Sequence, residues 1–446
     1  MKLKGIISLC LAILMVLLTV LTTAGCGEET TADQTTSTES VTESQQDDVQ
    51  SEKSPSSKNN SKNPSSKKPT VSKENKVDYS GFSKHDIIMY ALDPNIYQFS
   101  LKDSGDNSRI AALMKKAEKG GTYKIAVLGG SISRGAGAGH VTNSYGYLVC
   151  EWWKENFPKA NFEFVNAGIG STNPEMACYR LQADLLNAKP DFVVIDYAVN
   201  TYLDNNLYYT YSALLYRILK QSNAPAVMAI DFARNDEFKD SVPNGYLTKA
   251  AKEYKIPSVS YHKYIWDRIA RGYIKWTDIS DDTIHPNETG HAIAAAIVTA
   301  HLQNVKSNLS KTSTKITAPA VPEDNDYLNL GYIIKTQKGV KLSGGFVAGD
   351  NKDTVTRGWT YTPTGGKPEL YIPLPANRGC KVLMFFTGTN QGSVKITGQN
   401  GTTVEVNAAS AQTPVLVDVG RPGTSITITP NISAGQITIY GVGVNY

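Results

Sequence analysis

Short apolar runs of buried-strand length recur through the middle of the chain, at residues 123–128, 162–165, 192–196, 226–231 and 258–261. Between them lie segments whose apolar residues follow the helical period, at 145–156, 175–186, 207–221 and 246–254, with further helices at 264–271 and 287–302. An earlier helix is expected over 107–119. Asn107 or Ser108 would cap it, Ile110, Leu113 and Ala117 form its stripe, and Gly120-Gly121 stop it. Repeated strand–helix units leave few options, because parallel strands need crossover helices and those helices cover both faces of the sheet. An α/β domain with a mainly parallel sheet is therefore predicted. In such sheets a ligand site lies beyond the carboxyl ends of the strands.

The flanks are different polymers. Residues 1–25 read as an export signal, with Lys2 and Lys4 ahead of an apolar run over residues 6–21. The plain alternative is a transmembrane helix, but the run is barely long enough to span. The small residues of Thr23-Ala24-Gly25-Cys26 resemble a bacterial lipobox, although Thr23 stands where Leu is usual. That resemblance implies cleavage before Cys26 and a diacylglycerol on its sulfur. The protein would then be extracytoplasmic, at the bacterial cell surface, touching the membrane through its lipid alone. Residues 26–77 are rich in Ser, Thr, Gln, Asn and Lys, acidic in the first half and basic in the second. So few large apolar side chains cannot offset the entropy of ordering, so the segment is expected to be a disordered tether. Its basic half offers an alternative role, contact with anionic wall polymer or lipid headgroups.

The α/β domain is assigned to residues 78–312 and a linker to 313–325. Residues 326–446 contain β-rich runs at 332–336, 369–372, 381–386, 393–397, 403–406, 415–419, 425–429 and 436–444, separated by turns such as Gln399-Asn400-Gly401. This pattern predicts an all-β sandwich, jelly-roll-like. Trp359, Tyr361 and Tyr371 are read there as a sugar platform, as core, or as an interface with the first domain.

Composition excludes some partners. The net charge of +4 and the lack of a basic stripe with interleaved aromatics argue against nucleic acid. Five Cys without a CxxC pair suggest neither a disulfide scaffold nor a zinc site. Cys10 would leave with the signal. Cys150 and Cys178 are expected as buried thiols, with a disulfide between them left open.

At the predicted strand ends stand Gly129-Gly130-Ser131-Ile132-Ser133, then Asn166-Ala167-Gly168-Ile169-Gly170-Ser171-Thr172, then Tyr197-Ala198-Val199-Asn200. Before the last helix stands Asp282-Thr283-Ile284-His285-Pro286. A Ser hydroxyl needs a base to become a nucleophile, and the base needs an acceptor that fixes its tautomer. Among six His, His285 alone has a carboxylate three residues before it, a Pro after it and a helix about to start. His85, His140, His262, His291 and His301 are read as surface or structural residues, with lining of the pocket the alternative for His140 in the loop after residues 129–133.

These four blocks, in this order, resemble the SGNH hydrolases, or GDSL esterases, over about residues 124–302. Gly130 stands where the name-giving motif has Asp, and Thr201 follows Asn200 where Asp is common. The resemblance implies a flavodoxin-like three-layer SGNH hydrolase domain. It implies Ser131 as nucleophile and first oxyanion donor, His285 as general base and Asp282 as its orienter. Asn200 would supply a side-chain N–H to the oxyanion, and Gly170 or Ser171 a main-chain N–H. Asp281 is expected only as a solvated neighbour. No cofactor or metal is called for.

No lipase-like lid is evident. Tyr145, Tyr197, Tyr202, Tyr208, Tyr209, Trp152 and Trp153 fall near the strand-end face, as packing or as a platform for sugar rings. Extracellular relatives with accessory β domains often deacetylate polysaccharides, so the resemblance implies a serine esterase acting on acylated polysaccharide or another small ester. An O-acetyltransferase using the same triad remains open, as does a surface-anchored glycan-binding protein with a silent catalytic domain.

Overall fold

The structure, a computed structural model, describes residues 95–201, 206–236, 245–323, 325–349, 357–375, 378–389, 391–408 and 414–445. The expected signal, Cys26, the tether and Tyr202 lie outside the described residues. Among the described residues no helix is long and apolar enough to cross a membrane.

Helix α1 (Ile96–Ser100) leads into edge strand β1 (Leu101–Asp103). The strands β2 (Gly121–Gly129), β3 (Ala160–Gly168), β4 (Phe192–Asp196), β5 (Ala226–Asp231) and β6 (Ser258–Ser260) complete a sheet of order β1-β6-β5-β4-β2-β3. Neighbours from β3 to β6 are all parallel, and β1 alone runs antiparallel on the β6 edge. Within the parallel part the first strand lies between the second and third, which is the flavodoxin-like order and creates a switch point at β2.

Successive side chains of a strand face opposite ways, and both faces of this sheet are covered. Ile125 and Val127 of β2 join a core with α2 (Ser108–Ala117), α4 (Tyr145–Asn156), α8 (Tyr261–Ala270) and α10 (Glu288–Ser307). Ala126 and Leu128 join a second core with α5 (Pro174–Asp184), α6 (Leu207–Leu219) and α7 (Gly245–Glu253). Two-sided burial is why β4 and β5 read as unbroken apolar runs. It also settles the cysteines. Cys150 lies in the first core and Cys178 in the second, on opposite faces of the sheet, so they do not pair; both are free, as is Cys380.

Most elements fall where the sequence predicts them, with two informative differences. Tyr261, expected at the end of a strand, begins α8 because the Ser260 side chain caps that helix by accepting from the Lys263 N–H. Helix α10 runs on to Ser307, past the expected residue 302, and buries Val305 on the same stripe.

The C-terminal part is a sandwich of antiparallel sheets. One sheet has the order β15-β12-β17-β10-β9, with β7 also paired to β17, and the other β14-β13-β16-β11-β8. Their ranges are β7 (Leu330–Ile333), β8 (Lys341–Ser343), β9 (Phe346–Ala348), β10 (Trp359–Tyr361), β11 (Glu369–Pro373), β12 (Cys380–Thr387), β13 (Ser393–Gly398), β14 (Thr403–Asn407), β15 (Val415–Gly420), β16 (Ser425–Asn431) and β17 (Gln436–Asn445). Val382, Met384, Ile437 and Ile439 of one sheet meet Val394, Ile396, Ile426 and Ile428 of the other. Trp359 and Tyr361 are buried in this core, which removes them as a sugar platform. The sequence did not predict β8, β9 or β10, each three residues long.

The sandwich rests on α5. Lys381 Nζ lies 2.7 Å from Glu175 Oε1 in the first turn of that helix. Gly443 packs so closely on the Tyr179 ring that a Cβ there would fall 1.9 Å from Tyr179 Cδ1. At the far end Arg357 donates to the Ala183 carbonyl and stands 3.6 Å from Asp184.

Candidate active site

β2 delivers Ser131 to the carboxyl edge of the sheet, at the switch point. Ser131 opens the one-turn helix α3 (Ser131–Arg134), so its own N–H has no acceptor within that helix. The residue before it has to be small. A Cβ on Gly130 would lie 2.2 Å from Asn200 Oδ1, so the Asn200 amide packs directly on the backbone beside Ser131. Asn200 reaches this position through a tight turn after β4, with its N–H on the Tyr197 carbonyl.

The His arrives from a second turn, between α9 (Trp276–Ile279) and α10. Ser280 bridges to Pro286, and the Ser280 hydroxyl sits 2.8 Å from the Asp282 carbonyl and 2.7 Å from the His285 carbonyl. Asn287 caps α10 by accepting from the Gly290 N–H. Inside the turn, Asp282 Oδ1 accepts the main-chain N–H groups of Ile284 and His285, each at 2.6 Å. Asp282 Oδ2 lies 2.7 Å from His285 Nδ1. His285 Nε2 lies 2.9 Å from Ser131 Oγ. Partial burial would push the Asp282 carboxyl up, but the hydrogen bonds from His285 and Ile284 outweigh it and hold the group below the usual carboxylate range. Asp282 is thus a carboxylate, which accepts from Nδ1–H and leaves Nε2 free to take the Ser131 proton.

The loop after Ser131 is tied to this turn. A Cβ on Gly137, at φ +86°, would lie 2.2 Å from the Pro286 carbonyl oxygen. His291 Nε2 lies 2.9 Å from the Ala136 carbonyl, and the Tyr145 N–H donates to Nδ1. Burial lowers the His291 pKa to about 4, so it is a neutral strut rather than a second base. His140 is exposed and bonds Thr142, and His301 bonds Asn107. Asp281 is exposed, within 3.4 Å of Asn287.

The glycine block forms the opposite wall. A Cβ on Gly170 would stand 3.8 Å from Ser131 Cβ, so this residue faces Ser131. Ser171 follows at φ +56°, in the left-handed region. Thr172 closes the turn, with its N–H and its hydroxyl both on the Ile169 carbonyl.

Two buried groups beneath the site escaped the sequence. Arg180, on α5, is fully buried. It donates to the Ala167 carbonyl at 2.7 Å, the Gly129 carbonyl at 3.1 Å, Tyr197 Oη at 3.1 Å and Asp184 at 3.0 Å. One guanidinium therefore ties the ends of β2 and β3 to the turn after β4. Asp196, the last residue of β4, is also fully buried, with Ser133 Oγ 3.3 Å from Oδ2 and Ser133 in turn 2.8 Å from Tyr145 Oη. Burial pushes its carboxyl up to about 7.

Of the aromatics expected near this face, Tyr145, Tyr197 and Trp153 are buried packing residues and Trp152 is half-buried against the first core. Tyr209 is exposed, and Tyr208 bonds Glu253.

Residues 127–293 match the model of the GDSL-like Lipase/Acylhydrolase family. A crystal structure of a two-domain esterase active on acetylated mannans is 25% identical. The likeness covers 78% of this chain and 98% of that one, with a TM-score of 0.66. The same esterase co-crystallised with mannopentaose gives 25% identity over the same shares, with a TM-score of 0.65. No curated protein matches the chain in sequence. The first domain is of the SGNH/GDSL type. The protein is a carboxylic ester hydrolase of that type, joined to a C-terminal β domain.

Proposed function

We propose that this protein removes short acyl groups, acetyl foremost, from polysaccharides, using Ser131, His285 and Asp282 as its catalytic triad. The observation that carries this reading is the continuous hydrogen-bonded chain from Asp282 Oδ2 through the His285 ring to Ser131 Oγ. Ser131 Oγ attacks the ester carbonyl as His285 Nε2 takes its proton. His285 then gives that proton to the departing sugar oxygen, leaving an acetyl-enzyme. Water, deprotonated by the same nitrogen, releases acetate and restores Ser131. The oxyanion of each tetrahedral state is met by the Ser131 N–H, the Asn200 side chain and a main-chain N–H of the glycine block. Gly170 is the first choice for that last donor and Ser171 the second.

The two-domain esterase on acetylated mannans supports a polysaccharide substrate, because it shares both domains and not the catalytic one alone. The lipobox-like residues before Cys26 support an extracytoplasmic, lipid-anchored enzyme that meets such polymers outside the membrane. The test is acetate release by the full chain from acetylated mannan, acetylated xylan and aryl esters of increasing length, with and without deacetylated oligosaccharide as acceptor. Release of acetate to water, fastest from an acetylated glycan, supports the proposal. Transfer to the oligosaccharide would assign an acetyltransferase, and no release from any ester would overturn the reading.

A further inference from the structure

The β domain has an outer face that is not a surface. Along β12, Val382 and Met384 point into the sandwich, while Leu383 and Phe385 point out. Tyr440, on the adjoining β17, shares the outward side. Yet Leu383 is 0% exposed and Tyr440 only 5%. They are covered by Ile169 and Met176, with Phe385 and Leu416 at the edge.

Ile169 belongs to the glycine block. It follows the last residue of β3, its N–H donates to the Gly129 carbonyl, and its own carbonyl is the acceptor that closes the turn at Thr172. The next residue, Gly170, faces Ser131, and the one after, Ser171, is held at a positive φ that Ser adopts only at a cost. This short turn has one large apolar side chain, and that side chain is anchored in the other domain. The same sheet also holds α5 through Lys381 and Gly443, and α5 carries the Arg180 fork that binds the Gly129 and Ala167 carbonyls.

We propose that the β domain is a working part of the catalytic geometry: Leu383 and Tyr440 are positioning residues that act through Ile169 to hold the Gly170–Ser171 turn at its distance from Ser131. The inference rests on the esterase reading given above. An oxyanion donor acts only when preorganised at hydrogen-bond distance from the developing charge, and a displacement of about 1 Å costs as much as 10²-fold in rate. Loosening the apolar anchor should therefore reduce kcat while substrate binding stays nearly unchanged.

The test compares full-length variants with an aryl acetate as substrate and an alkyl boronic acid as a mimic of the tetrahedral oxyanion. Leu383→Ala should lower kcat by about 10-fold with KM within about 2-fold, and boronate affinity should fall in parallel. Leu383→Val, which removes a single methylene and leaves a smaller cavity, should show the same split at smaller size if the Ala variant does not fold. Tyr440→Ala should show the same split as Leu383→Ala, because the Tyr440 ring packs in the same cluster. Val394→Ala serves as the control, because Val394 is equally buried but lies in the sandwich core on the other sheet. It should reduce stability and leave kcat unchanged. Unchanged kcat in both Leu383 variants, or an equal loss in Val394→Ala, would overturn the inference while leaving the esterase reading intact. A wild-type chain that neither hydrolyses the ester nor binds the boronate would instead remove the reading on which it rests.

Discussion

Asp282 holds His285 at two points, accepting its main-chain N–H on Oδ1 at 2.6 Å and facing Nδ1 with Oδ2 at 2.7 Å. The first bond sets where the residue sits and the second sets which nitrogen carries the proton. Asp282→Asn keeps an oxygen for the backbone but turns an amide N–H₂ toward Nδ1, favouring the wrong tautomer. The expected loss is about 10²–10⁴-fold in kcat with little change in KM. Steady-state kinetics on an aryl acetate check this, and a wild-type kcat in the variant would exclude Asp282 as the orienter. The pH dependence of folding gives a second readout. The folded pKa of Asp282 lies below its unfolded value, so its contribution is present above the ordinary carboxylate range and is lost as pH falls through the depressed value. Asp282→Asn should lack that component of acid destabilisation.

Gly130 and Asn200 form a steric pair, and this gives a test of the oxyanion site that leaves every polar group in place. Asn200→Ala should cost about 10²–10³-fold in kcat. Gly130→Ala places a methyl 2.2 Å from Asn200 Oδ1. It should displace the amide and reproduce most of the Asn200→Ala loss, with the double variant no slower than the worse single one. Additive losses would mean that the two residues act separately. Gly at this position, where the family's name-giving motif has Asp, is therefore the form that fits Asn200 tightly against the Ser131 turn.

The legible parts of this protein were the local ones. The Asp282–His285 turn was readable because its groups lie three residues apart and the turn is closed within residues 280–286. Strands β4 and β5 were readable because burial on both faces leaves unbroken apolar runs. What escaped depends on distant partners. Arg180 and Asp184 have the spacing of an ordinary surface ion pair on a helix, and nothing local says that the sheet covers one side of α5 and the β domain the other. Strands β8, β9 and β10 are three residues each; β8 and β10 pair with the longer β11 and β17, and β9 pairs in turn with β10. Ile169 stands between Gly168 and Gly170, and its packing against Leu383 could not be read from either segment alone.

Arg180 yields a prediction on stability. Removing one partner of a buried charge pair typically costs about 3–5 kcal/mol, because the other charge and its acceptors are left unsatisfied. Arg180→Ala should fall in that range by urea denaturation, since Asp184 and the Gly129 and Ala167 carbonyls all lose a donor. Arg180→Lys should not restore the wild type. A single ammonium cannot serve acceptors on both guanidinium nitrogens at once. Rescue by Lys would mean that charge, not the fork, holds the strand ends.

Asp196 gives the pH signature of the site's floor. Its carboxyl is fully buried and titrates near 7 when folded, against about 3.9 when unfolded, so the native state binds the extra proton between those values. Stability from this group is therefore present at low pH, declines as pH rises through that window, and stays low above it. Asp231 adds to the effect, because its negative charge also opposes ionisation of Asp196, and Lys102 lies 2.8 Å from Asp231. Asp196→Asn keeps the shape, keeps an oxygen for the Ser133 hydroxyl and cannot ionise. Urea unfolding at about pH 5 and about pH 8 should show the wild type losing stability across the interval by more than the variant does, with the variant the more stable of the two at the higher pH. Parallel pH dependence in the two proteins would mean that Asp196 is ionised throughout, and that a partner for its second oxygen compensates the charge.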